Sequence, residues 1–116
     1  MTDSRYFHNP RCSKSRAGLE LLAERGVHPQ TVAYLEQAPS VGDLKDLLRR
    51  LGLPARALMR TGEPEYAGLG LDDPSLSEEA LVAAMHEHPR LIERPIFIHG
   101  DRAVIGRPPE RVLELL

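Results

Sequence analysis

Hydrophobic spacing in the first third of the chain predicts a strand, a helix and a second strand. Residues typical of strands occupy Arg5–His8 and Thr31–Leu35. Between these two stretches, leucines recur at helical spacing from Ser13 onward, and Gly26 is suited to end the helix. A crossover through a helix is right-handed and leaves its two strands parallel. This part of the chain is therefore predicted to be a β-α-β unit.

The middle of the chain, from about Glu36 to Glu93, shows helical periodicity with few strand signals. The stretch from Glu63 to Pro74 is rich in Gly, Pro and Asp and is predicted to be irregular, with at most a helical turn. The predicted helix starts are Ser40 with Asp43 as capping partner, the segment PARALMR at Pro54–Arg60, and Ser75 with Glu78 or, as the weaker alternative, Ser77 with Ala80.

The last third returns to strands. Pro95–His99 and Arg102–Ile105 are separated only by Gly100-Asp101, which predicts a hairpin. Pro108-Pro109 then begins a terminal helix that Val112, Leu113 and Leu116 would dock on the sheet. The predicted fold class is α/β: a four-stranded mixed sheet of β-α-β and β-β-α halves. The prediction is one domain over residues 1–116, with a helical insertion at about 36–93.

Composition narrows the class of protein further. A hydrophobic share of 41% suffices for a core in a chain of 116 residues, and a net charge of −2 offers no basic footprint for nucleic acid. Neither a membrane-spanning run nor a signal-peptide pattern is present, so we expect a cytoplasmic monomer. The single cysteine excludes an internal disulfide and a structural zinc site built from several cysteines.

That cysteine, Cys12, is the main candidate for chemistry. It lies in the turn between the first strand and the first helix, where unpaired backbone N–H groups and the helix dipole favour a thiolate. Lys14, Arg16 and His8 would add positive charge, and the Ser15 hydroxyl is spaced to hydrogen-bond the sulfur. The alternative is a small buried hydrophobic residue. The polar neighbours of Cys12 favour the reactive thiolate.

Other thiol and metal chemistries fit the sequence less well. Position 15 is Ser, so the dithiol Cys-x-x-Cys motif is absent, and position 18 is Gly where a phosphatase loop needs Arg. No metal site is predicted from the remaining histidines, because His86 and His88 do not share a helical face. No dinucleotide-binding fingerprint is present, and no tightly bound cofactor is predicted.

An anionic substrate would need arginines from elsewhere in the chain, since the planar guanidinium meets two oxygens at once. Arg60 ends the PARALMR segment, while Arg94 and Arg107 flank the predicted hairpin and are expected to lie near each other. The alternative for each of them is a solvated surface charge.

These segments together resemble the ArsC family of glutaredoxin-coupled arsenate reductases. The resemblance rests on HNPRCSKSR after a strand, the Arg that follows Leu-Met in PARALMR, the ERPI stretch, and IGRPPE before the terminal helix. It covers nearly the whole chain and implies a thioredoxin-like fold with a helical insertion. RCSKSR departs from the Gly-containing loop associated with established arsenate reductases and is closer to a housekeeping branch of the family.

The resemblance implies a role for each matching residue. Glutathione would be the co-substrate and glutaredoxin the protein partner in the reduction of arsenate to arsenite, or in the reduction of a similar oxyanion. The implied roles are a nucleophile at Cys12, oxyanion binding at Arg60, Arg94 and Arg107, ionisation of the cysteine through His8, and a cis-proline at Pro95 that faces the cysteine.

Two other functions remain open. Relatives in the same superfamily are redox-sensing regulators that bind RNA polymerase, but these typically carry Cys-x-x-Cys and need no oxyanion arginines. Ser15 and the three arginines therefore favour an enzyme. A glutathione-linked thiol transferase acting on a non-arsenical substrate would need the same residues, so the sequence does not separate it from an arsenate reductase.

Overall fold

The structure is a computed structural model that describes residues 3–116, and the chain divides into two compact units. The first unit combines residues up to 37 with residues 94–116, and the second holds residues 38–93. The second unit thus begins two residues after the start predicted for the helical insertion and ends at the predicted residue.

The first unit is built on a four-stranded mixed sheet, as predicted. Its strands are β1 (Ser4–Phe7), β2 (Gln30–Val32), β3 (Ile96–His99) and β4 (Arg102–Ile105), in the spatial order β2-β1-β3-β4. β1 runs parallel to β2 and antiparallel to β3, and β3 pairs with β4 in the predicted hairpin. β2 is shorter than predicted because the N–H groups of Glu36 and Gln37 both donate to the Ala33 carbonyl, which turns the chain away from the sheet.

The helix of the β-α-β unit is α1 (Ser13–Glu24). Its buried residues are Ser15, Gly18 and Leu22. The absence of a side chain on Gly18 leaves room for the Tyr6 hydroxyl against this face, and Leu22 joins a core cluster. That cluster consists of Tyr6, Leu22, Phe97, Val104 and Val112.

The C-terminal helix differs from the prediction in type and in its contacts. Pro109–Leu115 forms a 3₁₀ helix, with Val112 fully buried in the core cluster and Leu116 49% exposed. A 3₁₀ helix repeats every three residues, so Val112 and Leu115 share a face and Leu116 does not. The predicted docking by Leu116 was therefore wrong.

The second unit is helical, as the periodicity predicts. Its α-helices are α2 (Val41–Leu51), α3 (Ala55–Leu58), α4 (Pro64–Gly68) and α5 (Glu78–Glu87), followed by a 3₁₀ turn at Pro89–Leu91. Helix α5 packs against α2 and α3. α4 is the helical turn allowed for in the irregular stretch, and Gly52 ends α2 in the left-handed conformation with φ of 68°.

Two helix starts were predicted from capping chemistry. The first is confirmed, and for the second the structure confirms the weaker alternative, Ser77 with Ala80. The Ser40 hydroxyl accepts the Asp43 N–H (3.0 Å), and the Asp43 carboxylate accepts the Ser40 N–H in return, which confirms the capping box of α2. Helix α5 begins after Ser77, not Ser75. Ser77 accepts the Ala80 N–H, whereas the Ser75 hydroxyl donates to the Asp73 carboxylate at 2.7 Å and is no longer available as a cap.

Candidate active site

Cys12 occupies the N-cap position of α1, directly after the loop that leaves β1. Its backbone is extended, with φ −94° and ψ 121°, and its side chain is half-buried. The Cys12 N–H donates to the Asn9 carbonyl (3.0 Å), and the Cys12 carbonyl accepts the Arg16 N–H (3.1 Å), the first hydrogen bond of the helix. The sulfur therefore sits beside the N–H groups of the first helical turn, which have no carbonyl partner within the helix.

The environment of Cys12 favours its ionised form. Burial raises the pKa of the Cys12 thiol, but hydrogen bonds from the backbone N–H groups of Ser15 and Lys14 and the charges of Arg94 and Arg107 outweigh burial, so the net pKa is lowered. Among these contributions, the N–H of Ser15 is stronger than either arginine. A thiolate at this position is a ready nucleophile.

The cations that lower the pKa of Cys12 lie far from it along the chain. The structure assigns this role to Arg94 and Arg107, which come from the other end of the chain. Lys14 contributes through its peptide N–H, and the Arg16 guanidinium donates to the Pro10 carbonyl at 2.9 Å. The side chains of Lys14 and Arg16 are both exposed, and the added positive charge expected from them stays a prediction.

Arg94 and Arg107 are brought together by the hairpin, as predicted. Arg94 lies just before β3 and Arg107 just after β4, and the Arg107 Nε donates to the Arg94 carbonyl at 2.7 Å. Between them the Gly106 N–H donates to the Pro95 carbonyl (2.9 Å). The Arg94–Pro95 peptide is cis, as the family resemblance implies, and so is Arg107–Pro108.

Gly106 is required for this arrangement. A Cβ at this position would lie 2.8 Å from the Pro95 Cγ and 3.0 Å from the Val112 Cγ1, and both of these side chains are buried. Any larger residue would separate the strand ends and with them Arg94 and Arg107.

Ser15 takes part in the site through its backbone. Its side chain is fully buried, and its hydroxyl oxygen accepts the Asn9 N–H (3.0 Å) and lies 2.7 Å from the His8 Nδ1. The expected bond from the hydroxyl to the thiolate is replaced by one from the Ser15 N–H. The hydroxyl instead ties the loop before Cys12 to the helix that follows it.

His8 is a neutral residue of this network and not a source of positive charge. Burial, and next the charge of Arg16, lower the pKa of His8, so the imidazole is uncharged at neutral pH. The Ser15 hydroxyl accepts from Asn9 and lies within hydrogen-bond distance of the His8 Nδ1. A His8 tautomer with its proton on Nε2 accepts the Ser15 hydroxyl hydrogen, and the other tautomer donates to the same oxygen.

Sequence reasoning missed Tyr6 and Gly18, which lie beside Ser15 and support this network. The buried Tyr6 hydroxyl donates to the Ser15 carbonyl at 2.6 Å, and burial raises the pKa of Tyr6. A Cβ on Gly18 would overlap the Tyr6 hydroxyl oxygen. A glycine inside a helical pattern was the available signal, since it marks a position where another group approaches the backbone.

A cleft of about 530 Å³ opens beside the loop that precedes Cys12. Such a volume is within the range of small-molecule sites. Its lining mixes polar and apolar groups from the loop and from the turn after β2, namely His8, Asn9, Pro10, Arg11, Ala33, Leu35 and Glu36.

Arg60, the third predicted oxyanion ligand, belongs to the second unit, where two carboxylates face its guanidinium. Its Nη1 lies 2.5 Å from the Glu63 carboxylate, and its Nε lies 3.9 Å from the Glu93 carboxylate. The Arg60 N–H donates to the Leu91 carbonyl (2.7 Å), which fixes the backbone next to the bridge between Met59 and Ile92.

Neither a metal-binding cluster nor a membrane-spanning helix is found within residues 3–116. No group of three or more His, Cys, Asp or Glu side chains in this range is arranged to hold a metal ion. In the same range, none of the helices has the length and apolar character needed to cross a bilayer.

Comparisons with known proteins agree with the fold. The family model described as "ArsC family" matches residues 7–115. The chain is 55% identical over 111 residues to "Uncharacterized protein YfgD" of Escherichia coli, covering 95% of this chain and 93% of that one. It is 47% identical to "Arsenate reductase" of Neisseria meningitidis, over all of both chains. The solved structure "Arsenate reductase from Vibrio cholerae" superposes with a TM-score of 0.95 at 54% identity, covering 97% of each chain. The sheet, the insertion and the matches over nearly the full length agree, and the chain belongs to the ArsC family.

Proposed function

We propose that this protein is an arsenate reductase in which the Cys12 thiolate attacks arsenate, with glutathione and glutaredoxin supplying the reducing thiols. The observation that carries the proposal is the half-buried sulfur at the N-terminus of α1, with a pKa lowered by two backbone N–H groups and two arginines. Names of close relatives, among them the Neisseria meningitidis protein, support arsenate as the substrate. The cytoplasm, where glutathione is abundant, is the proposed location.

The reaction can be written with atoms and electrons balanced. Attack by Cys12 forms a sulfur–arsenic bond and expels an oxygen of arsenate as water, and glutathione replaces a second oxygen in the same way. A glutaredoxin thiolate then attacks the glutathione sulfur, forming a disulfide. The electron pair of the broken sulfur–arsenic bond stays on arsenic, which passes from As(V) to As(III). Hydrolysis of the remaining bond releases arsenite and restores the Cys12 thiol.

Arg94 and Arg107 are assigned two tasks in this scheme. Before the reaction they favour the thiolate form of Cys12. During the attack they offset the negative charge on the oxyanion, which otherwise repels a thiolate. Arg60 is proposed as the third oxyanion ligand because of the family resemblance.

Steady-state turnover of arsenate with glutathione, glutaredoxin and a recycling system tests the proposal. Cys12→Ser should abolish activity. Arg94→Ala and Arg107→Ala should each lower kcat/KM by tenfold or more, since a charge-assisted hydrogen bond contributes ~1.5–3 kcal/mol. Lysine at either position should recover only part of the loss, because the forked geometry is missing.

Arg102→Ala is the matched control, since Arg102 is an exposed arginine on the same hairpin. It should keep kcat/KM within about twofold, as is usual for surface substitutions. If the protein turns over a glutathione mixed disulfide but not arsenate, arsenate is not its substrate and the result favours a thiol transferase. Retained activity in Cys12→Ser would overturn the nucleophile.

A further inference from the structure

The guanidinium of Arg60 already has an anionic partner inside its own unit. One oxygen of the Glu63 carboxylate lies 2.5 Å from the Arg60 Nη1, and the Glu63 side chain is only 12% exposed. The other Glu63 oxygen lies 3.3 Å from the Arg90 Nη2. An anion that binds Arg60 through its fork must therefore take the place of a partly buried carboxylate.

We propose that Glu63 is a specificity-determining residue, an internal competitor that an oxyanion must displace from Arg60 before binding. The inference rests on the proposed function, because it takes Arg60 as an oxyanion ligand. Arsenate at neutral pH carries more charge than a carboxylate and has more oxygens for the guanidinium. It can displace Glu63, whereas an abundant monocarboxylate gains nothing by the exchange.

Arg90 lowers the free-energy cost of displacing the Glu63 carboxylate from Arg60. A carboxylate released from one arginine and left unpaired in a partly buried position would oppose binding. Glu63 keeps its second oxygen on Arg90, whose side chain is 64% exposed and free to follow it into solvent. The pair Arg60–Glu63 is thus arranged to open without leaving either charge unsatisfied.

The test is calorimetric titration of the full chain with arsenate in the absence of glutathione, comparing wild type with Glu63→Gln. The neutral amide keeps the size of the side chain but not its charge. Removal of the competitor should lower the Kd for arsenate roughly threefold to tenfold, the range expected for a partly exposed ion pair. An unchanged or raised Kd would overturn the proposal.

Glu65→Gln is the matched control, because it removes the same charge from the same stretch of chain. Among the described residues, Glu65 pairs with Arg90 (3.8 Å) and makes no ion pair with Arg60. The Kd of the Glu65→Gln variant for arsenate should stay within about twofold of the wild-type value. An equal gain in Glu65→Gln would attribute the effect to net charge and would contradict the role of Glu63.

Arg60→Ala separates the inference from the function on which it rests. If Arg60 binds the oxyanion, Arg60→Ala raises the Kd, and adding Glu63→Gln to it brings no further gain. A raised Kd in Arg60→Ala with no effect of Glu63→Gln defeats this inference alone. An unchanged Kd in Arg60→Ala defeats the oxyanion role of Arg60 and the inference with it. Should Glu63→Gln fail to fold, Glu63→Asp, with its shorter reach, must tighten binding by a smaller factor.

Discussion

Activation of a single sulfur is the main chemical event at the residue scale. The position of Cys12 in the turn before a helix was enough to predict a lowered pKa, and the structure agrees in direction. The partners of Ser15 and His8 were not predictable. A buried hydroxyl has several donors and acceptors within reach, and the choice depends on the tertiary approach of β1 to α1.

Titration of the thiolate absorbance of Cys12 should give a pKa below the ordinary value of about 8.5. Arg107→Ala should raise that pKa, because it removes a charge that acts on the sulfur. Lys14→Ala should leave it within experimental error, since the contribution of residue 14 is its peptide N–H. A large rise in Lys14→Ala with none in Arg107→Ala would show that the wrong cations have been assigned.

The lowered pKa of His8 has a consequence for stability. Below the ordinary value of 6.5 the unfolded chain takes up a proton that the folded chain resists, so the free energy of unfolding should fall as the pH drops below 6.5. Urea denaturation of His8→Asn should show a weaker pH dependence of the free energy of unfolding than wild type. An equal pH dependence in His8→Asn and wild type would contradict the assigned role of His8.

At the scale of elements, the contact of the Tyr6 hydroxyl of β1 with α1 supports the site. Leucine periodicity predicts that α1 exists and where it ends, but its buried face is made of Ser15, Gly18 and Leu22. Ser15 and Gly18 do not count as hydrophobic positions, so the periodicity of the sequence does not indicate that they are buried. The Tyr6 hydroxyl fills the space that Gly18 leaves and holds the Ser15 carbonyl.

Gly18→Ala should therefore disturb the site from beneath. Overlap of the new methyl with the Tyr6 hydroxyl should destabilise the protein by about 1–3 kcal/mol and raise the pKa of Cys12 by shifting the Ser15 N–H. Tyr6→Phe removes the hydroxyl. In a double-mutant cycle, Gly18→Ala should therefore lower the free energy of unfolding less in the Tyr6→Phe background than in wild type.

Gly68→Ala is the control for the Gly18 cycle, because no atom lies within 4 Å of the position its Cβ would take. Urea denaturation should show it to be neutral or slightly stabilising, since alanine favours the helical state. If Gly18→Ala and Gly68→Ala lowered the free energy of unfolding equally, a steric cause at Gly18 would be ruled out.

At the scale of the whole molecule, the sheet joins residues from the two ends of the chain. The order of periodic segments was enough to predict the four strands, their hairpin and the insertion between the halves. It gave the cap of α5 only as the weaker of two alternatives, and it did not predict the 3₁₀ character of the last helix. Both depend on competition between nearly equal local options, Ser75 against Ser77 and one helical repeat against another.

The presence of one cysteine among 116 residues limits how the whole molecule can turn over. Two-electron reduction by thiols ends in a disulfide, and this chain cannot close one internally. Multiple turnover should stop when glutathione is withheld, and mass spectrometry after exposure to arsenate and glutathione should detect an adduct at Cys12. Sustained turnover with thioredoxin alone, in the absence of a small thiol, would contradict the mechanism.

The peptide N–H groups that hold the sulfur have an evolutionary consequence. Every residue except proline supplies the same N–H, so the exposed positions 13 and 14 can change without loss of the bonds to Cys12. Side chains there are free to diverge and to adapt to whichever protein or thiol approaches the loop. Substitutions at positions 13 and 14 between relatives therefore say little about whether the sulfur is reactive. The presence of glycine at positions 18 and 106 is the better indicator of a reactive sulfur.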